Sequence, residues 1–370
     1  MKIAFVYDRI NKLGGAEKIL LALHQVYPQA PFYTAVYSPR AAFWAKKLSV
    51  QPSFLNYFPL AKTHHELYPW LTSMAFESFN FDQFDVVVSV TSAEAKAVIT
   101  QPKTLHLCYC LTPTRYLWSH RRQYTHDPAL GKFLRFWLTY LQRVDLINAA
   151  RPDVYAAISK TVQQRIKKYY HQDSQVIYPP VDTAKFSFRP QPKADRPMAE
   201  AYFLLVSRLV PYKNINLAIQ AFNQLQQKLV IVGFGREAAR LKQLAGPTIK
   251  LTGQVADQEL VKLYQHCQAL IMPQEEDFGL VCLEAQAAGK PVIALQSGGA
   301  TETIINQQTG IFFKQPTVDS LVAGVKQFNS RSWDMNFIQA HARKFDTRIF
   351  INNFTNFVED QWQIHQKNFP

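Results

Sequence analysis

The sequence predicts an α/β protein of two doubly wound, Rossmann-like domains, and three observations carry that expectation. Its 370 residues exceed one ordinary hydrophobic core and suit two of typical size. Short apolar runs alternate with stretches of helical periodicity along both halves, as parallel sheets require. A break with prolines and mixed charge, Pro190-Gln-Pro-Lys-Ala-Asp-Arg-Pro197, separates the two series and reads as an interdomain linker.

In the first series the pattern predicts strands at Lys2–Tyr7, Ala30–Val36, Val86–Val90, Thr104–Cys110, Val154–Ile158 and Gln175–Tyr178. Between the first two, Ile19, Leu20, Leu23 and Val26 recur at helix spacing over Ala16–Val26. The second series predicts strands at Ala201–Val206, Leu229–Val232, Ile249–Leu251, Ala269–Met272, Pro291–Leu295 and Gly310–Phe313, followed by a last helix over Phe350–Gln366. Domains are therefore expected at 1–189 and 190–349, with a terminal helix in 350–370. If two such sheets face one another across a cleft, strand carboxyl ends and helix N-termini of both meet there, where open α/β sheets bind ligands.

Composition narrows the classes. A hydrophobic fraction of 48% with 18% charged residues describes a packed globular chain, not a disordered one. No apolar run reaches the roughly 18 residues that span a bilayer. Met1–Asp8 is a short run ended by an acid, so it reads as a buried strand and not as a leader. Cys108, Cys110, Cys267 and Cys282 have no metal-ligand spacing and are expected as reduced thiols, and His64-His65 as an exposed loop pair. The formal charge of +14 implies attraction to polyanions: nucleic acid, an anionic membrane surface or a phosphate-bearing substrate. Its cations are dispersed in small clusters such as Lys46-Lys47, Arg121-Arg122 and Lys167-Lys168, and no nucleic-acid motif accompanies them, so no nucleic acid is expected as a partner.

The most informative stretch is Glu276-Asp-Phe-Gly-Leu-Val-Cys-Leu-Glu284, which sets two carboxylates eight positions apart across a strand-to-helix junction. Ala269-Leu-Ile-Met-Pro273 reads as a strand ended by proline. Leu280, Val281, Leu283, Ala285 and Ala287 then keep helical spacing until Gly289-Lys-Pro291. Such a helix mouth suits a phosphate, and Gly279 lets the backbone approach. Carboxylates beside a phosphate have hydroxyls as their natural partners, those of a ribose and a sugar. A sugar nucleotide fits both. Two glutamates at this spacing are also common on solvated helix faces. Ser207-Arg208-Leu-Val-Pro-Tyr-Lys213 follows a buried strand and offers two cations for a diphosphate, the alternative being two ordinary surface charges. Gly14-Gly15 lacks the full G-x-G-x-x-G pattern, so a plain tight turn competes with a phosphate loop; the same holds for Gly233-Phe-Gly235.

Taken together, the run Glu275–Ala294, the Gly14-Gly15-Ala16-Glu17 loop, Ser207–Lys213 and Ser297-Gly298-Gly299-Ala-Thr-Glu302 resemble, in order, the motifs of family 4 glycosyltransferases. Those are retaining enzymes of the GT-B fold, and the likeness runs from about Lys2 to Phe354. Tyr109–Trp118 and the segments Ile158–Lys160 and Tyr178–Asp182 are similar to mannosyltransferase-like members of bacterial O-antigen and exopolysaccharide assembly. The resemblance implies a hexosyl transfer, with mannose from GDP-mannose favoured, to a glycan or polyprenyl-linked acceptor.

The resemblance also implies residue roles. Arg208, Lys213 and Glu276 carry catalysis, the cations on the diphosphate and Glu276 on hydroxyls of the transferred sugar. Gly14, Gly15, Gly253, Phe278, Gly279, Leu280 and Glu284 join Arg208 and Lys213 in donor binding, Glu284 on the ribose and the base near Thr252–Val255. Thr112, Arg115 and Trp118 lie on the acceptor side, and the last helix crosses back to the N-terminal domain. Where many members have a histidine reaching the sugar, this chain has Leu111. His106, five residues earlier, suits the core or the cleft.

No metal and no cofactor are expected: the acidic run Glu275–Asp277 has no D-x-D companion, and cations can replace a metal at the diphosphate. Lys132, Phe133, Arg135, Phe136, Trp137, Tyr140, Leu141 and Arg143 form an aromatic helix at 131–146, packed on its own domain or lying on a membrane. The expected place is cytoplasmic, with peripheral attachment to the inner face of the membrane. A GT-B epimerase and a non-catalytic binding protein on the same fold are the competing readings, the second motivated by Leu111.

Overall fold

A computed structural model of the chain describes residues 1–64, 67–119, 131–187 and 201–369, the side chains of 131–135 excepted. The linker at 190–197, Arg121-Arg122, His65 and the side chains of Lys132, Phe133 and Arg135 lie outside that set. The chain forms two compact units, one of Met1–Pro179 with Phe350–Pro370 and one of Pro180–Ile349. The described segment ahead of the linker, Pro180–Ser187, packs with the second unit.

The first unit is a seven-stranded sheet of β1 (Ile3–Tyr7), β2 (Phe32–Thr34), β3 (Val50–Pro52), β4 (Val86–Thr91), β5 (Leu105–Cys110), β6 (Val154–Ala157) and β7 (Ser174–Val176). All neighbours are parallel and the order is 3-2-1-4-5-6-7. β1, β4 and β5 are buried along their whole length, which explains their largely apolar runs. Its helices are α1 (Gly15–Val26), α2 (Pro69–Glu77), α3 (Gly131–Ala149) and α4 (Lys160–Tyr170). β3 is an edge strand of three residues that periodicity did not mark.

The second unit has six parallel strands, β8 (Phe203–Val206), β9 (Leu229–Val232), β10 (Ile249–Gly253), β11 (Leu270–Met272), β12 (Val292–Leu295) and β13 (Gly310–Phe313), in the order 10-9-8-11-12-13. Around them run α5 (Thr183–Phe186), α6 (Ile215–Leu225), α7 (Ala238–Leu244), α8 (Asp257–His266), α9 (Leu280–Ala287), α10 (Ala300–Thr303), α11 (Val318–Asn329) and α12 (Met335–Arg343). Apolar side chains from both faces of the sheet form two cores, one around Phe203, Phe222 and Phe328, the other around Leu204, Tyr264 and Cys282.

α13 (Thr347–Asn368) takes the chain back to the first unit. Phe350 and Phe354 are buried there against Tyr109 of β5, with ring centroids 5.9 and 5.7 Å away. The return expected from the resemblance is therefore present.

Both sheets reverse direction once, β1 beside β4 and β8 beside β11. At such a switch point adjacent loops leave toward opposite faces and open a crevice at the strand carboxyl ends. In the first unit Asp8, just past β1, fills that place: its carboxylate accepts from Thr91 Oγ1 at 2.8 Å and from the backbone N–H groups of Ser92 at 2.7 Å and Ala95 at 2.9 Å. In the second unit the loops after β8 and β11 carry the residues of greatest interest.

Candidate functional site

The loop after β8 runs Ser207–Val210 into a tight turn at Pro211–Lys213, and Asn214, at φ 51°, opens α6. Arg208 points to solvent and donates from Nη2 to the Tyr212 hydroxyl at 2.6 Å. Lys213 turns inward, 6% exposed, with Nζ 5.2 Å above the Tyr212 ring. Tyr212 thus stands between the two cations and orders both. Sequence reading passed over it as a loop residue, and only its place between Arg208 and Lys213 marks it.

This loop is held by its neighbour. A Cβ on Gly233, at φ 144°, would fall 1.8 Å from the Ser207 carbonyl oxygen. One on Gly235 would fall 2.2 Å from that of Leu209. Leu209 N–H donates to the Phe234 carbonyl at 2.8 Å. The Gly233-Phe-Gly235 stretch is accordingly a backbone-on-backbone brace for the arginine loop.

The loop after β11 brings Glu276 to the same edge. Its Oε1 accepts from Lys213 Nζ and from Gln274 Nε2, the latter at 2.8 Å. Among the described residues no hydrogen bond falls on its Oε2. Glu275 turns the other way and accepts from Ser297 Oγ at 2.5 Å. Gly298 and Gly299 close over this loop: Gly299 N–H donates to the Glu276 carbonyl at 2.8 Å, and a Cβ on either glycine would come within 2.3 Å of loop backbone. The Ser297-Gly298-Gly299 motif is therefore what fixes Glu276 in place.

Phe278 is buried against Phe345 at 5.9 Å between centroids, Gly279 takes φ 89° ahead of α9, and Leu280 is its first, half-buried residue. Glu284, one turn on, is 5% exposed and accepts from Tyr264 of α8 at 2.8 Å on Oε2. Burial first, then the Glu284 charge, pushes the Tyr264 phenol well above its ordinary value, so it stays a donor. Tyr264 was not foreseen either: at its helical position it reads as core. Gly253 ends β10 at φ 75° with open space where a Cβ would project. Among the described residues no three His, Cys, Asp or Glu side chains converge as metal ligands.

The remaining expected residues belong to the first unit. Gly14 caps α1 and Gly15 begins it; the adjacent Glu17 is buried, accepts from the Tyr7 hydroxyl at 2.8 Å, and has its pKa raised by that burial. Leu111 is buried beyond β5, and Thr112 is buried with no hydrogen-bond partner for its hydroxyl among the described residues. Arg115 is half-buried. Trp118 stacks on Tyr169 at 5.2 Å and donates from its indole to Asp145 of α3 at 2.7 Å. Asp145 is also the partner of Lys96 at 2.6 Å, of Thr114 at 3.0 Å and of Tyr170 at 2.9 Å. Burial pushes the Lys96 ammonium down, but the charge and hydrogen bond of Asp145 outweigh it, so lysine remains charged. His106 sits in the core on β5 against Ser89 at 2.9 Å, and burial lowers it to about 3, leaving it neutral.

Residues 189–344, nearly the whole second unit, match the model of the glycosyl transferases group 1 family. The second unit is a group 1 glycosyl transferase domain. A GDP-mannose-dependent alpha-(1-6)-phosphatidylinositol monomannoside mannosyltransferase of Mycobacterium tuberculosis is 32% identical to this chain over 202 residues, 47% of the chain and 52% of the relative. The chain thus spans about half the length of such curated relatives. The mouse alpha-1,3/1,6-mannosyltransferase ALG2 is 24% identical over 340 residues, 80% of each chain. Among solved structures, Anabaena Alr3699/HepE in complex with UDP and glucose superposes with a TM-score of 0.71 at 20% identity, over 97% of this chain and 99% of that one. The fold around the glycosyl transferase domain is GT-B, as the family 4 resemblance implied.

Proposed function

We propose that the chain is a retaining, metal-independent hexosyltransferase that moves mannose from GDP-mannose to a glycan or polyprenyl-linked acceptor in cell-surface polysaccharide synthesis. The observation that carries this is the Lys213–Glu276 pair at the β8/β11 switch point, beside Arg208. A lysine ammonium has three donors, so Lys213 can keep Glu276 and still reach a diphosphate oxygen. Arg208 adds a bidentate fork. The Oε2 of Glu276 then accepts from a hydroxyl of the transferred sugar.

Departure of the nucleoside diphosphate builds negative charge on its oxygens, and cations fixed beforehand stabilise that charge without reorganising. The transfer proceeds on one face of the sugar, with the leaving phosphate taking the acceptor proton, so Glu276 need not be a nucleophile. Two of the relatives above are named mannosyltransferases, one of them GDP-mannose-dependent, which favours that donor; the Anabaena protein binds UDP, so the base needs a direct test. A thermal-shift and hydrolysis screen over GDP-, UDP-, ADP- and dTDP-sugars supplies it. Ligand at a hundredfold excess over its Kd stabilises the native state by about 2.7 kcal/mol. A shift with GDP-mannose alone is the expected result; no shift with any sugar nucleotide would overturn the proposal.

Activity is expected to survive EDTA, because the two cations do the work of a metal. Loss of activity that manganese or magnesium restores would reverse this. The two glutamates are expected to divide their effects. Glu284 faces the ribose, which changes little during transfer, so Glu284→Gln weakens binding of the free nucleoside diphosphate. Glu276→Gln lowers turnover more than that affinity, since the free nucleotide has no sugar to lose. Calorimetry and turnover on both variants test the split, and equal losses of nucleotide affinity would refute it.

No helix among the described residues is long and apolar enough to cross a membrane. A cytoplasmic enzyme attached peripherally to the inner face of the membrane suits a lipid-linked acceptor.

A further inference from the structure

In the first unit α3 buries Leu138 and Ala149 but carries polar side chains inward and apolar ones outward as well. Its only acid, Asp145, is 4% exposed, and Asn148 is buried with it, donating to Ser73 of α2 at 3.0 Å. Its outer face instead shows Phe136 at 70% exposure, Tyr140 at 49% and Ile147 at 62%, with Leu146 and Arg143 among them. α2 is similar: it buries Thr72 and Ser73 along with Ala75 and Phe76, while Trp70 and Met74, one turn apart, are exposed. Trp70 meets Trp137 with ring centroids 6.3 Å apart, so the two helices present adjoining apolar faces. The turn before α2 continues them through Phe58, whose ring lies 5.7 Å from that of Tyr68, and through Tyr57 and Leu60.

We propose that this outer face of α2 and α3, with the turn before them, docks on an anionic phospholipid bilayer. Exposed aromatic and aliphatic side chains of this kind settle at the headgroup boundary, and a helix too polar to cross lies in that plane. The charge of the segments that build and precede the face selects the occupant. From Arg40 to the end of α2 the chain carries Arg40, Lys46, Lys47 and Lys62 against Glu66 and Glu77, of which Glu77 is paired with Arg151 at 2.6 Å, and α3 adds the exposed Arg143. A second copy would set these cations against themselves across a symmetric contact. Anionic lipid attracts each of them. This deepens the lipid-linked acceptor reading above and gives that acceptor a surface to lie on.

The test uses the full chain and vesicles of phosphatidylcholine with and without phosphatidylglycerol. Wild-type chain is expected to sediment with the anionic vesicles at low salt and less so at high salt. Phe136→Ser with Ile147→Ser, and separately Trp70→Ser with Met74→Ser, are each expected to weaken that binding at least about tenfold. Both pairs change exposed residues and are expected to keep the wild-type Tm and the wild-type rate of donor hydrolysis without vesicles. Equal vesicle binding by wild type and both variants overturns the proposal, as does binding indifferent to lipid charge. A dimer in solution that the variants split, with no vesicle binding, assigns the face to a second copy. Vesicle binding without any donor hydrolysis leaves this proposal standing and removes the transfer reading instead.

Discussion

Replacing Lys213 with alanine is expected to lower sugar transfer on the order of a hundredfold or more, and Arg208→Ala to act comparably. Both cations lie in the loop after β8 and are ordered by Tyr212, Arg208 on its hydroxyl and Lys213 over its ring. Their proposed task is met chiefly in the transition state, where the leaving diphosphate gains charge, so the loss should appear in kcat as well as in kcat/KM. Folding is expected to survive. Arg208 is exposed, and Glu276 keeps Gln274 as a donor when Lys213 is gone. Steady-state kinetics on both variants, with Tm as the control, decides the matter. Wild-type turnover in either variant at unchanged Tm would mean that the diphosphate is held by other groups.

Asp145→Ala is expected to cost about 3–5 kcal/mol, because it leaves the Lys96 ammonium buried without its counter-charge. Lys96 is 1% exposed, and the same carboxylate also receives Thr114, Trp118 and Tyr170. Against the roughly 5–15 kcal/mol of a typical domain, that is a large share. Lys96→Met with Asp145→Leu removes both charges together and is expected to recover only the part of the loss due to the bare charge, because Thr114, Trp118 and Tyr170 still lose their acceptor. Urea unfolding followed by tryptophan fluorescence measures both. An unchanged midpoint in the single variant would show that water reaches Lys96 and compensates it.

Much of this architecture was legible in periodicity. Largely apolar runs such as Val86–Val90 and Thr104–Cys110 are the mark of strands buried on both faces, and they pair in the centre of the first sheet. β3 escaped because three half-exposed residues carry no pattern. In the site, Arg208, Lys213 and Glu276 were readable because each is a charged residue just past an apolar strand. The residues that orient them were not. Tyr212 and Gln274 acquire meaning only when two loops distant in sequence converge, and Tyr264 meets Glu284 across two helices. Trp118 was expected on the acceptor side, and its indole is held by Asp145 of α3, a link between positions 27 apart that no local spacing announces.

The first unit is assembled from both ends of the chain, while the second is one uninterrupted stretch, Pro180–Ile349. This fixes an order of events at the ribosome. Chains fold as they emerge, domain by domain, and here the later-made unit has all its residues before the earlier-made one does. Tyr109 is synthesised early, but its aromatic neighbours Phe350 and Phe354 arrive only after the whole second unit has been made. The nascent first sheet must wait with part of its apolar surface open until Phe350 and Phe354 leave the ribosome.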